Sequence, residues 1–204
     1  FLNYDMTKTN TSDFGTFAGI KNYLVVFANS KYRNAVANSV LWTLINIVAQ
    51  LVLAMVVALV LNEKLKGRGV FRTMALLPWA IPAAISALTF SALYDTKIGV
   101  FNAILIRLGV LKEGYSFLGN VPTAMPAVIV ANVWKSTPFL MIFILAALQG
   151  VSYDMYESGA IDGAGKWKRF LYITLPNIKE PMAVAVILNL ISIFNNFNAI
   201  WLLT

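Results

Sequence analysis

The sequence predicts an all-α integral membrane protein, and two observations carry that prediction. Of its 204 residues, 59% are hydrophobic and only 12% are charged, against about 25% charged in a soluble domain. The charges are also bunched, with a mean hydropathy of +0.71, which leaves apolar windows of about 18 residues or more, long enough to cross a bilayer as helices. The net charge of +7 does not point to nucleic acid. No basic patch is interleaved with stacking aromatics, and a basic excess in a membrane protein sits at helix ends and lipid head groups. Cysteine and histidine are absent. That excludes disulfides, thiolate chemistry, histidine-centred acid–base catalysis and most zinc sites. No charged-then-apolar signal opens the chain. It starts on Phe1 rather than Met, which predicts a window of a longer protein.

Residues 1–35 read as an extramembrane arm, partly helical near "IKNYLVVF". The first span is expected over 36–61. Its Asn38, Asn46 and Gln50 fall in one sector of a 3.6-residue helix. That sector faces protein, because unpaired amides in hydrocarbon cost several kcal/mol. The amides serve either helix–helix hydrogen bonding or substrate contact. A short basic loop, 62–72, leads to a second span over 70–94. Pro78 and Pro82 inside it predict a kink, for packing or for a gate. Glycines 99, 109, 114 and 119 with Pro122 punctuate a loop, in which "IGVFNAILIRLGVL" reads as a short interfacial helix. The third span is expected over 124–148. Lys135 near its middle must snorkel, pair or meet water. The fourth is expected over 182–204. Its Ser192, Asn195, Asn196 and Asn198 suit either a transport cavity or interhelical hydrogen bonds.

Four alternating spans put loops 62–72 and 149–180 on one face. They carry eight Lys and Arg residues against seven on the other face, so charge alone does not orient the chain. Within and just beyond the second of these loops, residues 156–181 are the most charged and glycine-punctuated stretch of the chain. Ser152 suits a helix N-cap, with Asp154 and Glu157 in the first turns. Asp162-Gly163 is a turn signal, a second short helix is expected over 166–173, and Pro176 and Pro181 bracket the return to the membrane. Ile161, Ala164, Trp167 and Leu171 recur at spacings of three or four. The stretch thus reads as a surface hairpin, one face able to rest on the bundle and the other to dock on a partner or anchor at the membrane surface. "GAGK" at 163–166 is no phosphate loop: Trp167 follows where Ser or Thr is needed, and the preceding strand is missing.

The same stretch resembles the EAA loop of binding-protein-dependent ABC importer permeases. That pattern is Glu-Ala-Ala, three residues, Gly, nine residues, Ile, one residue, Leu-Pro. Here Glu157, Gly163, Ile173, Leu175 and Pro176 stand at the matching positions. Asp162 matches the aspartate frequent in the carbohydrate subfamily. Ser158 and Gly159 depart from the two alanines, although both are small. "FAGIKNYLVVF", "LNEKLKGRGVFRTMALLPWAIP", "VWKSTPFLMIFILAALQGV" and "FNNFNAIWLLT" extend the likeness, most of all to the MalF-like maltose or maltodextrin type.

The resemblance implies part of a roughly six-helix ABC type I importer permease (MetI-like) core in a prokaryotic cell membrane. The arm would be extracytoplasmic and the 149–180 loop cytoplasmic, coupling to a separate MalK-like ATP-binding subunit. It also implies a MalG-like second permease, an extracytoplasmic sugar-binding protein and a sugar substrate. ATP and Mg would belong to the partner ATPase, with no cofactor on this chain. Trp134 and Phe194 would stack a sugar that Ser192, Asn195, Asn196 and Asn198 hydrogen-bond. A non-sugar importer, a secondary transporter or channel subunit, and a membrane scaffold are the competing classes.

Overall fold

The computed structural model describes residues 19–63 and 66–203, without the side chains of Lys21 and of residues 197–199. Most of the expected arm, together with Lys64 and the Asn198 side chain, lies outside the described residues. The chain divides into two compact units, residues 1–41 and 42–204.

In the first unit, α1 covers Lys21–Ala28 and α2 starts at Ser30, six residues before the expected span. Asn29 marks that start: its side-chain oxygen accepts the Lys31 N–H at 2.9 Å, satisfying a donor that the first helical turn leaves free. Asn38, expected to share a buried sector with Asn46 and Gln50, is exposed.

The second unit contains the body of α2 (Ser30–Asn62), then α3 (Arg68–Ala80), α4 (Ala83–Leu93), α5 (Val100–Arg107) and α6 (Val121–Gln149). After these come α7 (Tyr153–Ile161), α8 (Lys166–Arg169), a π-helical turn (Phe170–Thr174), α9 (Leu175–Phe194) and α10 (Phe197–Leu203). Among the described residues, three helices are long and apolar enough to cross a membrane: α2, α6 and the continuous run Lys166–Phe194. The pair α3 and α4 makes a fourth span if it counts as one.

α2 buries a stripe at Trp42, Asn46, Ile47, Gln50, Ala54, Ala58 and Leu61, the three-and-four spacing of one helix face. Ala54 and Ala58 are fully buried. Such small residues let helices approach closely where lipid provides no hydrophobic drive between them. α6 is the most enclosed helix. Its Leu140, Met141 and Ile144 are buried with Ile178 and Ala185 of α9 in one core.

Two expected spans differ in the structure. The second is not one kinked helix: α3 and α4 meet at a 93° bend. Ile81 is extended (φ −74°, ψ 131°), as the residue before a proline prefers. Pro82 follows it into an extended conformation (ψ 143°), so the chain turns a corner. The fourth span, expected over 182–204, is not one helix over that range: its first part is the end of a helix that begins at Lys166 and ends at Phe194, and after a break at Asn195 the rest belongs to α10. Pro176 does not interrupt the longer helix. Just before that proline the Leu175 N–H reaches the Phe170 carbonyl, a five-residue step. The extra residue of a π turn absorbs the missing N–H and the ring.

Candidate functional site

Two features of the second unit are candidates. The first is the hairpin formed by α7, α8 and the π turn. Ser152 takes the N-cap place of α7, but its hydroxyl makes no capping bond. At the other end the Gly163 N–H donates to the Ala160 carbonyl at 3.1 Å and the Ala164 N–H to the Gly159 carbonyl at 2.9 Å. This bond pair is a Schellman stop, and it requires the left-handed φ of +76° at Gly163. Gly159 is buried. A Cβ there would stand 2.8 Å from Ile173 Cδ1, so α7 packs closely against the π turn at this position. The Tyr156 hydroxyl meets Thr174 Oγ1 at 3.0 Å, and Arg169 donates to the Tyr156 carbonyl at 3.5 Å.

Of the residues read from the loop pattern, Ile173 and Leu175 are half-buried, and Glu157, Asp162, Gly163 and Pro176 are exposed. Of the apolar set expected at three-and-four spacing, Ala164 is half-buried, while Ile161, Trp167 and Leu171 are exposed. Ile161 is 86% exposed and Trp167 71%; Tyr153 and Tyr172 are exposed too. The inward face is made by Tyr156, Gly159 and Thr174 instead. The hairpin therefore shows an open aromatic and aliphatic surface beside Lys166 and Lys168.

The second feature is a buried chain of side-chain amides joining α2, α6, α9 and the α9–α10 break. Asn189 donates to Gln50 at 2.7 Å, and Gln50 to Asn46 at 3.4 Å. Asn132 donates to Asn46 at 2.7 Å, and Asn196 to Asn132 at 2.8 Å. The Trp42 indole N–H anchors α2 to the Ile193 carbonyl at 3.2 Å. At the Asn132–Asn196 end lies a cavity of about 30 Å³, lined also by Ser86, Phe90 and Lys135. That volume suits a water molecule or two and not a sugar ring. Ser86 Oγ is buried and has no partner among the described residues. Lys135 Nζ donates to the Ile81 carbonyl at 2.9 Å, so the ammonium sits on the corner between α3 and α4, where positive charge suits a helix C-terminus.

Of the residues expected along a pathway, Asn196 lines this cavity. Trp134 lies edge-on to Phe90 at 5.4 Å and is 42% exposed. Ser192, Phe194 and Asn195 are exposed, and Asn195 donates back to the Ile191 carbonyl. The sequence reading passed over Ser86, Asn132 and Asn189. Asn132 carried a legible signal, since Asn132 and Ser136 are polar neighbours four residues apart on a largely apolar helix.

Among the described residues, no cluster of three or more Asp or Glu residues is placed to hold a metal ion. The chain is similar to the trehalose/maltose transport system permease protein MalF of Thermococcus litoralis, 40% identical over 92% of this chain and 63% of that protein. The sulfoquinovosyl glycerol transport system permease protein SmoG of Agrobacterium fabrum is 33% identical over 92% of this chain and 60% of its own length. The chain thus spans under two thirds of these relatives. A solved bacterial ABC transporter involved in the import of the acidic polysaccharide alginate superposes with a TM-score of 0.78. It is 27% identical and covers 88% of this chain and 63% of its own. The fold is therefore the all-α, multi-spanning membrane architecture of type I (MetI-like) ABC importer permeases. The family model for "Binding-protein-dependent transport system inner membrane component" matches residues 50–204, and the chain belongs to that family.

Proposed function

We propose that this chain is part of the transmembrane subunit of an ATP-driven sugar importer, that it forms half of the translocation pathway, and that it is driven through residues 149–180 by a separate ATPase. One observation carries the reading: the hairpin is continuous with a membrane helix. α8, the π turn and α9 are one run, Lys166–Phe194, so a displacement at the hairpin is delivered to the helix that ends beside the Asn196 cavity. The exposed Ile161, Trp167 and Tyr172 form the docking surface for the ATPase. Gly163 makes the turn, Ile173 and Leu175 pack the return, and Pro176 starts the helix behind the π turn. Glu157 and Asp162, both exposed, face the same subunit.

ATP and Mg belong to that partner; this chain carries transport and no hydrolysis. A second, related permease closes the other half of the pathway, because a cavity of about 30 Å³ holds no sugar by itself. An extracytoplasmic binding protein delivers the substrate. The sugar is of the maltose or maltodextrin kind, in keeping with the relative named for trehalose and maltose. Asn196, Asn132 and Ser86 offer it hydrogen bonds, and Trp134 and Phe194 offer aromatic faces.

The test is uptake of labelled maltose, maltotriose and trehalose into liposomes holding the full-length permease pair and ATPase, with binding protein outside. ATP-dependent accumulation of at least one is expected. A complex that hydrolyses ATP in response to the binding protein but accumulates none of them sinks the substrate reading. Failure of the permease to co-purify with any ATPase sinks the coupling reading.

A further inference from the structure

Resting on that reading of the cavity, we infer that Asn46 is a positioning residue for the translocation site: together with the Trp42 carbonyl it fixes which end of the Asn132 carboxamide faces the cavity. Asn46 does not line the cavity; it acts through its neighbour.

A carboxamide has a donor end and an acceptor end, and a backbone carbonyl can only accept. Asn46 Nδ2 donates to the Trp42 carbonyl at 2.9 Å, so its Oδ1 must turn the other way. Asn132 can answer that oxygen only with its own Nδ2, which it does at 2.7 Å. The Asn132 Oδ1 is thereby directed away from α2. There it accepts from Asn196 Nδ2 at 2.8 Å and lies 3.5 Å from Ser136 Oγ. The same logic runs in the other direction. Gln50 turns Nε2 to Asn46, leaving Oε1 for the Asn189 Nδ2.

Asn46 and Gln50 are fully buried, and Asn132 and Asn189 nearly so. Reversing any one amide would set two oxygens or two N–H groups face to face with no water between them. One main-chain carbonyl thus sets the sense of five side-chain amides. The consequence at the site is that Asn132 turns an acceptor to the cavity, and a sugar hydroxyl that displaces the long Ser136 contact binds there as donor beside Asn196.

Asn46 and Gln50 separate this role from a merely structural one. Asn46→Leu and Gln50→Leu each strand a buried amide, so both should lower the melting temperature of the assembled complex. Only Asn46→Leu releases Asn132. The reading is the amount of labelled maltose moved per ATP hydrolysed by the full-length complex in liposomes. Asn46→Leu and Asn132→Leu should each lower that ratio about tenfold, and the double variant should fall no further, since residues acting as a unit are not additive. Gln50→Leu should stay within about twofold of the unaltered complex. Equal ratios for Asn46→Leu and Gln50→Leu, or a double variant that multiplies the two single losses, overturn the inference.

A second arm needs no sugar, and so separates this inference from the substrate reading if no maltose is taken up at all. Among the described residues, the hydrogen-bond path from Asn46 to Asn196 runs through Asn132. The melting losses of Asn46→Leu and Asn196→Leu should therefore be less than additive in the native background and additive once Asn132→Leu is present. Additivity in both backgrounds overturns the inference. Where Asn46→Leu yields no assembled complex, Asn46→Ser, which is shorter and keeps a polar group, carries the same comparison.

Discussion

At Gly159 the hairpin closes tightly on a helix position that carries no side chain. A glycine inside a helix costs up to about 1 kcal/mol against alanine. Here it leaves room for Ile173, whose Cδ1 would stand 2.8 Å from an added Cβ. That atom is the free tip of a side chain, so Gly159→Ala should need only a small rotation of Ile173. The helix-propensity gain offsets it, leaving the melting temperature of the complex nearly unchanged. Gly159→Val brings a branched group into the same gap and should cost about 1–3 kcal/mol, the usual penalty of overpacking. Adding Ile173→Ala should restore part of the loss; thermal melts of the three variants check the order. Asp95 is a second residue whose chemistry is local. Its carboxylate accepts the Ile98 and Lys97 N–H groups at 2.9 and 2.8 Å. Those bonds, Ile98 first, hold its pKa below the ordinary carboxylate value. The folded turn thus prefers the ionised form. Its contribution to stability is complete above about pH 4, the unfolded carboxylate pKa, and is lost as pH falls through the lowered folded value. Corrected for the intrinsic slowing of amide exchange in acid, the protection of the Lys97 and Ile98 N–H groups should therefore fall on acidification, and in Asp95→Ala it should already be low at neutral pH, with no further acid-dependent loss.

At the scale of elements, Gly163 is where local backbone and proposed mechanism meet. Its φ of +76° costs an L-residue about 1–2 kcal/mol, and a β-branched side chain suffers more. Gly163→Val should distort the turn while leaving α6 and α9 packed as before. Expected in liposomes is ATP hydrolysis that persists while sugar uptake falls about tenfold; normal uptake would remove the coupling role. The turn itself was legible, because Asp-Gly ending a helix with a Leu-Pro return leaves few alternatives. The prolines were harder to read. Pro78, Pro82, Pro176 and Pro181 all raise the same expectation of a kink or a boundary, yet only Pro82 turns a corner. The difference lies in neighbours that a local reading does not see. Lys135, fifty-four residues on, occupies the Ile81 carbonyl at the corner, whereas a π turn absorbs Pro176 within its own helix. The amide chain was half legible for a related reason. Asn46 and Gln50 declare themselves by sharing a face of α2, but their partners Asn132 and Asn189 sit 86 and 139 residues away. Which amide meets which is a property of helix packing.

For the whole molecule, the open physical question is whether α3 and α4 cross the membrane together. α6, with 29 residues, is about 43 Å long. The loop before Val121 and the hairpin after Gln149 therefore lie on opposite faces of a hydrocarbon layer about 30 Å thick. α3 and α4 have 13 and 11 residues, or about 20 and 16 Å, and neither spans alone. Set at 93°, they reach about 25 Å end to end, which the flanking turns and a small local thinning of the bilayer extend to a crossing. A re-entrant pair would instead return to the side it left. Glu63 distinguishes the two, since it precedes α3 and is exposed. If the pair crosses, Glu63 lies on the hairpin's side; if it re-enters, Glu63 lies with Lys112. The absence of cysteine from these 204 residues makes single-cysteine labelling unambiguous within them. Glu63→Cys, Lys112→Cys and Trp167→Cys, each in the assembled transporter, should be probed with a membrane-impermeant maleimide in right-side-out and in inverted vesicles. Lys112→Cys should label only from the outside, and Glu63→Cys and Trp167→Cys only from the inside. ATPase bound to inverted vesicles should also shield Trp167→Cys while leaving Glu63→Cys reactive. Glu63→Cys labelling alongside Lys112→Cys would make the pair re-entrant. Trp167→Cys labelling from the outside would put the hairpin beyond the reach of any ATPase, and the coupling reading with it.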